Sequence, residues 1–226
     1  MRRRGIGGPR RLGSGPLGYS DEMTTCHALA LSCSLTPSPT ASSSELLARQ
    51  VLDELESHGL TVEHVRVVDH DVHPGVESDM GDGDEWPAIL DRVRAADVLV
   101  FATPTWLGHA SSVAQRVLER LDAALSDTDG ANRPVMVGKV AVVAVVGNED
   151  GAHKIVADTF QALNDIGFSI PAQGCTYWNG EAMSGVDYLD LDRVPDAVAK
   201  TTATAARNAA ALGVMLRGHP YPPYPD

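Results

Sequence analysis

A chain of 226 residues, 43% hydrophobic and 21% charged, has the length and composition of one generous α/β domain that needs no disulfide or metal to complete its core. Its formal charge is -12 even though five arginines stand among the first eleven residues, and an acidic folded part argues against nucleic acid or an anionic membrane as its main partner. No run reaches the roughly 20 apolar residues of a membrane span, and Cys26, Cys33 and Cys175 form neither an even disulfide set nor a zinc spacing, so reduced thiols in a cytoplasmic protein are expected.

The opening stretch, "MRRRGIGGPRRLGSGPLGYSDEM", lacks the apolar centre of a signal peptide, and its Gly/Arg/Pro composition predicts disorder over residues 1–24. Met23 stands just before the first apolar run and offers a second possible start; a basic nucleic-acid arm is the other reading. "HALALSC" (His27 to Cys33) reads as a buried strand. A loop rich in Ser, Thr and Pro follows, and then a helix from Ser44 to His58 with Leu47, Val51 and Leu55 on one stripe and Gly59 as its stop. "TVEHVRVVD" (Thr61 to Asp69) is a second strand. "EWPAILDRVRAA" (Glu85 to Ala96) is a helix burying Trp86, Ile89, Leu90 and Val93, and Asp97 to Pro104 is a third strand.

Ser112 to Leu125 is the next helix, with Val113, Val117, Leu121 and Leu125 inward. "KVAVVAVVG" (Lys139 to Gly147) is the most apolar strand. Gly151 to Ile166 is a helix facing Ile155, Val156, Phe160 and Leu163 inward, with Gly167 as its stop. "FSIPAQG" reads as a short fifth strand, and Asp192 to Leu216 as the last helix. "RGHPYPPYPD" is a Pro-rich tail over 217–226, expected to be extended, either free or strapped across a neighbouring subunit. The central domain then covers 25–216.

Short apolar strands alternating with amphipathic helices predict a parallel sheet covered on both faces, and five strands suit the doubly wound order 2-1-3-4-5. In that order ligands bind at the carboxyl ends of the strands, where three loops meet: Ser34 to Ser43, Pro104 to Ser111 and Gly147 to Asp150. Ser42 and Glu45 have capping-box spacing. That accounts for one hydroxyl and leaves Ser34, Thr36, Ser38, Thr40 and Ser43. Hydroxyls and free amides at a helix N-terminus suit a phosphate, while a solvated loop with no ligand is the plainer alternative. The loop holds no Lys, no P-loop run and no G-x-G-x-x-G.

"ATPTWLGHASSVAQRVLERLD" (Ala102 to Asp122) resembles the flavodoxin-like NAD(P)H-dependent FMN reductases and quinone reductases, whose third strand ends in Thr-Pro-x-aromatic-x-Gly and whose next helix ends in Arg-Leu-Asp. Here these are Thr103, Pro104, Trp106 and Gly108, then Arg120, Leu121 and Asp122. Ser34, and the pair Ser42 and Ser43, are similar to that family's first loop. The resemblance implies FMN held by Ser34, Ser42 and Ser43 at its phosphate, by Pro104, Thr105, Trp106, Leu107 and Gly108 along the second loop, and by Gly147, Asn148, Glu149 and Asp150 along the third. It also implies NADH or NADPH as electron donor, a small acceptor such as a quinone or free flavin, and a homodimer or homotetramer. No side chain need act as an acid or base, since the cofactor carries the chemistry. The chain departs from the family in having Leu35, Thr36 and two prolines where an Arg and a Gly are common, and carboxylates in a third loop that is often Gly-rich. Asp150 is alternatively a cap for the following helix. A non-enzymatic electron carrier or flavin-binding regulatory module of the same fold is the alternative function.

Other residues carry two readings each. His109 either faces substrate or sits on the surface. His70, Asp71 and His73 have a spacing that suits a metal or a solvated turn. Tyr177 and Trp178 either border the crevice or pack under the last helix. No G-x-S-x-G elbow follows any strand, so the serines do not make a hydrolase triad.

Overall fold

In the computed structural model, which describes residues 25–182 and 184–225, the odd-numbered leucines of the first strand, β1 (His27–Ser32), face one layer of helices and Ala28 and Ala30 face the other. That alternation repeats in β2 (Thr61–Arg66), β3 (Val98–Trp106), β5 (Val140–Gly147) and β6 (Cys175–Asn179), with the two-residue β4 (His109–Ala110) hairpinned onto β3. The parallel strands lie in the order β2-β1-β3-β5-β6, so the expected flavodoxin-like order 2-1-3-4-5 is met by the five parallel strands. Helices α1 (Ser43–Ser57) and α5 (Asp196–Gly218) cover one face, while α2 (Trp86–Ala95), α3 (Ser112–Asp122) and α4 (Ala152–Ile166) cover the other. Leu47, Val51 and Leu55 of α1 are buried, each a side chain whose removal from water contributes about 1.5–3 kcal/mol.

Several expected boundaries shift, each for a local reason. "FSIPAQG" is not the fifth strand: Phe168 is buried, but the segment makes only an isolated bridge between Val140 and Ser169. Pairing with β5 resumes at Cys175, where Thr176 meets Thr201 and Thr202 of α5. The third helix stops at Asp122 and tightens into a 3-10 turn, Ala123–Ser126, which leaves Leu125 38% exposed instead of inward. The second strand ends at Arg66 and turns through Val67–Asp69. The last helix waits until Asp196, because Val194 precedes Pro195 and is steered away from helical geometry.

The Pro-rich tail lies extended against its own chain. Tyr224 donates its amide to Ala131 O (3.0 Å), Arg133 donates to Tyr221 O, and the Tyr221 hydroxyl lies 3.0 Å from Ser169 Oγ. The expected disordered segment, 1–24, lies outside the described residues. Among the described residues no helix is long and apolar enough to cross a membrane.

Candidate functional site

The carboxyl ends of β1, β3 and β5 open onto a cavity of ≈ 340 Å³, the size of a small-molecule site. Ser34, Ser42 and Ser43 line one end of it, Pro104, Thr105 and Trp106 a second side, and Gly147, Asn148 and Glu149 a third. Leu107, Gly108 and Asp150 do not line it. Trp178, for which the crevice was one of two readings, does, and so do Asp187 and Leu189, which the sequence reading did not place with the site.

At the hydroxyl end, Ser42 caps α1 by accepting from the Glu45 amide at 3.4 Å, and its Oγ lies 3.0 Å from Ser44 Oγ. The reciprocal half of a capping box is absent. Glu45 turns to Arg66 and Arg49 instead, since a buried guanidinium is a better partner for a carboxylate than one amide. Burial pushes the Glu45 carboxyl up, but its hydrogen bonds from Arg49 and Arg66 outweigh this and hold it below the usual range. Ser34 is buried, with Oγ accepting the Thr36 amide at 3.1 Å. Ser111, the cap of α3, donates to Cys33 O at 2.6 Å and so pins the start of this loop to the second one.

The second loop is shorter than expected. β3 continues through Trp106, and Leu107 (φ +50°) and Gly108 (φ +71°) form the tip of a hairpin to β4. Two left-handed residues match the twist of a two-residue hairpin, although a leucine in this region is uncommon. The Leu107 amide donates to Glu149 Oε1 at 2.7 Å, which binds the tip to the third loop. Trp106 is 55% exposed at the rim. His109 lies on the surface with Nδ1 2.7 Å from Leu107 O, and it does not line the cavity.

Gly151, not Asp150, stands at the cap position of α4, and no side chain caps that helix. Two glycines make the cradle. A Cβ on Gly147 would come within 2.6 Å of Thr105 Cβ, and one on Gly180 within 2.6 Å of the Trp178 ring. Thr105 Oγ1 is buried with no hydrogen-bond partner among the described residues.

Strand alternation separates the aromatic pair. Trp178 lines the cavity and packs against Tyr188, centroids 5.5 Å apart, whereas Tyr177 faces the other helix layer and places its hydroxyl 2.9 Å from His153 Nε2. The segment after β6 then closes one side of the mouth. Gly180 donates to Gly147 O, Asn148 Nδ2 to Asp187 Oδ1, and the Leu189 amide to Ser43 Oγ.

Away from the cavity, His70 and His73 pair with Glu85 (3.4 Å) and Asp71 (3.6 Å). Among the described residues no group of three or more candidate ligands converges. Arg120, the arginine of the Arg-Leu-Asp run, is fully buried against Asp84 and pins the long connection before α2.

The model of the family described as NADPH-dependent FMN reductase matches residues 27–182. The 8-demethyl-8-aminoriboflavin-5'-phosphate synthase of Streptomyces davaonensis is 34% identical over 173 residues, 72% of this chain and 67% of that protein. A protein of Mycobacterium bovis named divalent metal cation transporter MntH is 37% identical over 167 residues, 72% of this chain but only 24% of its own length. The chain therefore spans about a quarter of that relative. The crystal structure of RosB with a bound intermediate, 8-demethyl-8-formylriboflavin-5'-phosphate, superposes with a TM-score of 0.79 at 31% identity, covering 87% of this chain and 82% of that one. With its parallel sheet, three converging loops and this match over most of its domain, the chain belongs to the NADPH-dependent FMN reductase family.

Proposed function

We propose that the protein is an FMN-dependent NAD(P)H oxidoreductase that passes electrons to a small acceptor such as a quinone or free flavin. The observation that carries this reading is the cavity itself. One end is built of hydroxyls at the start of α1, and a tryptophan stands at the rim. When bound, FMN supplies hydride acceptance and onward electron transfer. The residues that would hold it are Ser34, Ser42 and Ser43 at the phosphate, Thr105 and Trp106 along one side, and Gly147 with Asn148 along the other. Trp106, half in solvent, leaves room beside it for a planar nicotinamide or acceptor. The carboxylates of Glu149 and Asp187, both in the lining, are engaged by the Leu107 amide and by Asn148, and negative charge here disfavours an anionic reduced flavin.

Anaerobic NADH or NADPH is expected to bleach the flavin absorption of the FMN-loaded protein within minutes without a second enzyme. Stoichiometric FMN that neither nicotinamide reduces would give the electron-carrier reading its place. Replacing Ser42 and Ser43 together by Ala is expected to weaken FMN by about 10- to 100-fold, the size of hydrogen bonds to a charged group, while riboflavin affinity stays nearly constant. Isothermal titration with both ligands checks it; equal losses would show that the serines act only through folding.

A second reading follows from the synthase and the RosB structure, whose names carry modified riboflavin phosphates: the flavin is the substrate and leaves altered. Mass spectrometry of the flavin recovered after turnover separates the two. An unchanged FMN mass supports the reductase.

A further inference from the structure

Between Thr36 and Ala41 the phosphate-side loop has six residues and two of them, Pro37 and Pro39, carry no amide hydrogen. Three of the remaining amides are used within the protein: Thr36 donates to Ser34 Oγ (3.1 Å), Ser38 to Asp69 Oδ1 (2.7 Å) and Thr40 to Pro37 O (3.3 Å). The Ala41 amide has no partner among the described residues, and Ala41 lines the cavity.

What sets the direction of that amide lies outside the loop. Arg66, the last residue of β2, pairs in register with Ser32 of β1 and has a side chain only 6% exposed. Its Nη1 donates to Thr40 O at 2.7 Å and more weakly to Thr36 O at 3.4 Å, and its Nη2 pairs with Glu45. Its Nε stays buried without a partner among the described residues, a cost the fold bears to keep both terminal nitrogens where they are. Asp69, three residues on, grips Ser38 through its amide and hydroxyl. Residues 36, 38 and 40 are thus held from the β2 side.

A trans peptide unit points its C=O and the following N–H in opposite directions. Drawing Thr40 O back onto Arg66 therefore turns the Ala41 N–H away from Arg66, toward the cavity that Ala41 lines. The loop has no cation of its own, and Arg66 acts from behind it.

We infer that Arg66 is the positioning residue of the phosphate site: by holding the Thr36 and Thr40 carbonyls it aims the Ala41 amide, alongside the free amides that open α1, at the phosphate of a flavin mononucleotide. This rests on the phosphate reading of the cavity given above. Glu45 completes the device, because it neutralises one face of the guanidinium and fixes its plane, while Arg49 on the same carboxylate leaves the cluster of three with a net positive charge.

The test is the ratio of FMN to riboflavin affinity in the full chain, measured by titration for the wild type, Arg66→Met and Arg66→Lys, with thermal melts alongside. Arg66→Met is expected to weaken FMN by about 10- to 100-fold, the effect of a displaced positioning contact, and to leave riboflavin essentially unchanged. Arg66→Lys keeps the charge but not the planar fork, so it should fold where the Met variant fails to and should still lose FMN selectively, by a smaller factor. An unchanged ratio in the folded variants, or equal losses of both flavins, overturns the role of Arg66. A wild-type protein that binds the two flavins equally overturns the phosphate reading itself, a result visible before any variant is made.

Discussion

Asp84→Ala is expected to destabilise the fold by about 3–5 kcal/mol, the cost of removing one partner from a buried ion pair. Asp84 and Arg120 are both fully buried, joined by a 2.7 Å bond from Arg120 Nη2. Arg120 also donates to His73 O (2.8 Å) and Glu77 O (3.0 Å) and stands 5.6 Å over the Trp86 ring. Asp84 accepts the amides of His73, Met80 and Trp86. The truncation leaves a guanidinium charge without its counter-ion and three amides without acceptors. Burial alone would raise the Asp84 carboxyl, but the Arg120 bond and the amides prevail and hold it far below the ordinary carboxylate range. A depressed folded-state pKa gives stability that is complete above the unfolded value of about 3.9 and is lost as pH falls below it. Urea midpoints at pH 7 should therefore separate wild type from variant by the full amount, and the gap should narrow below about pH 4. A variant that melts within a degree of wild type at pH 7 would show that the pair contributes nothing.

Gly151→Ala should cost about 2–5 kcal/mol and loosen flavin binding together with it. Gly151 has φ +132°, and a Cβ there would lie 2.8 Å from Gly108 Cα and 3.1 Å from its carbonyl carbon, which are backbone atoms with no rotamer to yield. The contact locks the hairpin tip of the second loop onto the start of α4, beside the bond from the Leu107 amide to Glu149. Pushing the tip away moves Trp106 and Glu149, two of the cavity walls. Gly108→Ala is the control: its new methyl meets nothing within 4 Å, leaving only left-handed strain of about 1–2 kcal/mol. Melting curves and FMN titrations of the two variants should rank them in that order, and equal effects would deny the contact its role.

The sheet order was legible because parallel strands buried on both faces read as unbroken apolar runs, and "KVAVVAVVG" and "DVLVFATP" are of that kind. The edge strand Cys175–Asn179 was not, because its inward Thr176 is satisfied by threonine hydroxyls of α5, a polar pairing without apolar periodicity. Phe168, apolar and buried, drew the strand assignment seven residues too early. In the site, residues from loops with recognisable spacing could be nominated, and the lining includes the serines, Trp106 and Glu149. Leu107 and Gly108 were nominated with them but form the hairpin tip, because their positive φ values turn the chain away from the cavity. Asp187 and Leu189 carry no motif, and Arg66 lies 26 residues from the carbonyl of Thr40 that it grips. Such long-range partners have no local signal.

The ends of the fold give it one more property. Arg217, near the close of α5, donates to Thr25 O and pairs with Asp97 at the amino end of β3. The tail beyond it runs past Ser169, beside the first residue of β5. Thr25 and the end of α5 therefore leave from the same rim of the sheet, the one opposite the cavity. A neighbouring module joined at either point would be carried behind the domain, with the cavity mouth still open to small molecules. Both chain exits lie at the rim away from the cavity, so the mouth stays clear of whatever is attached there.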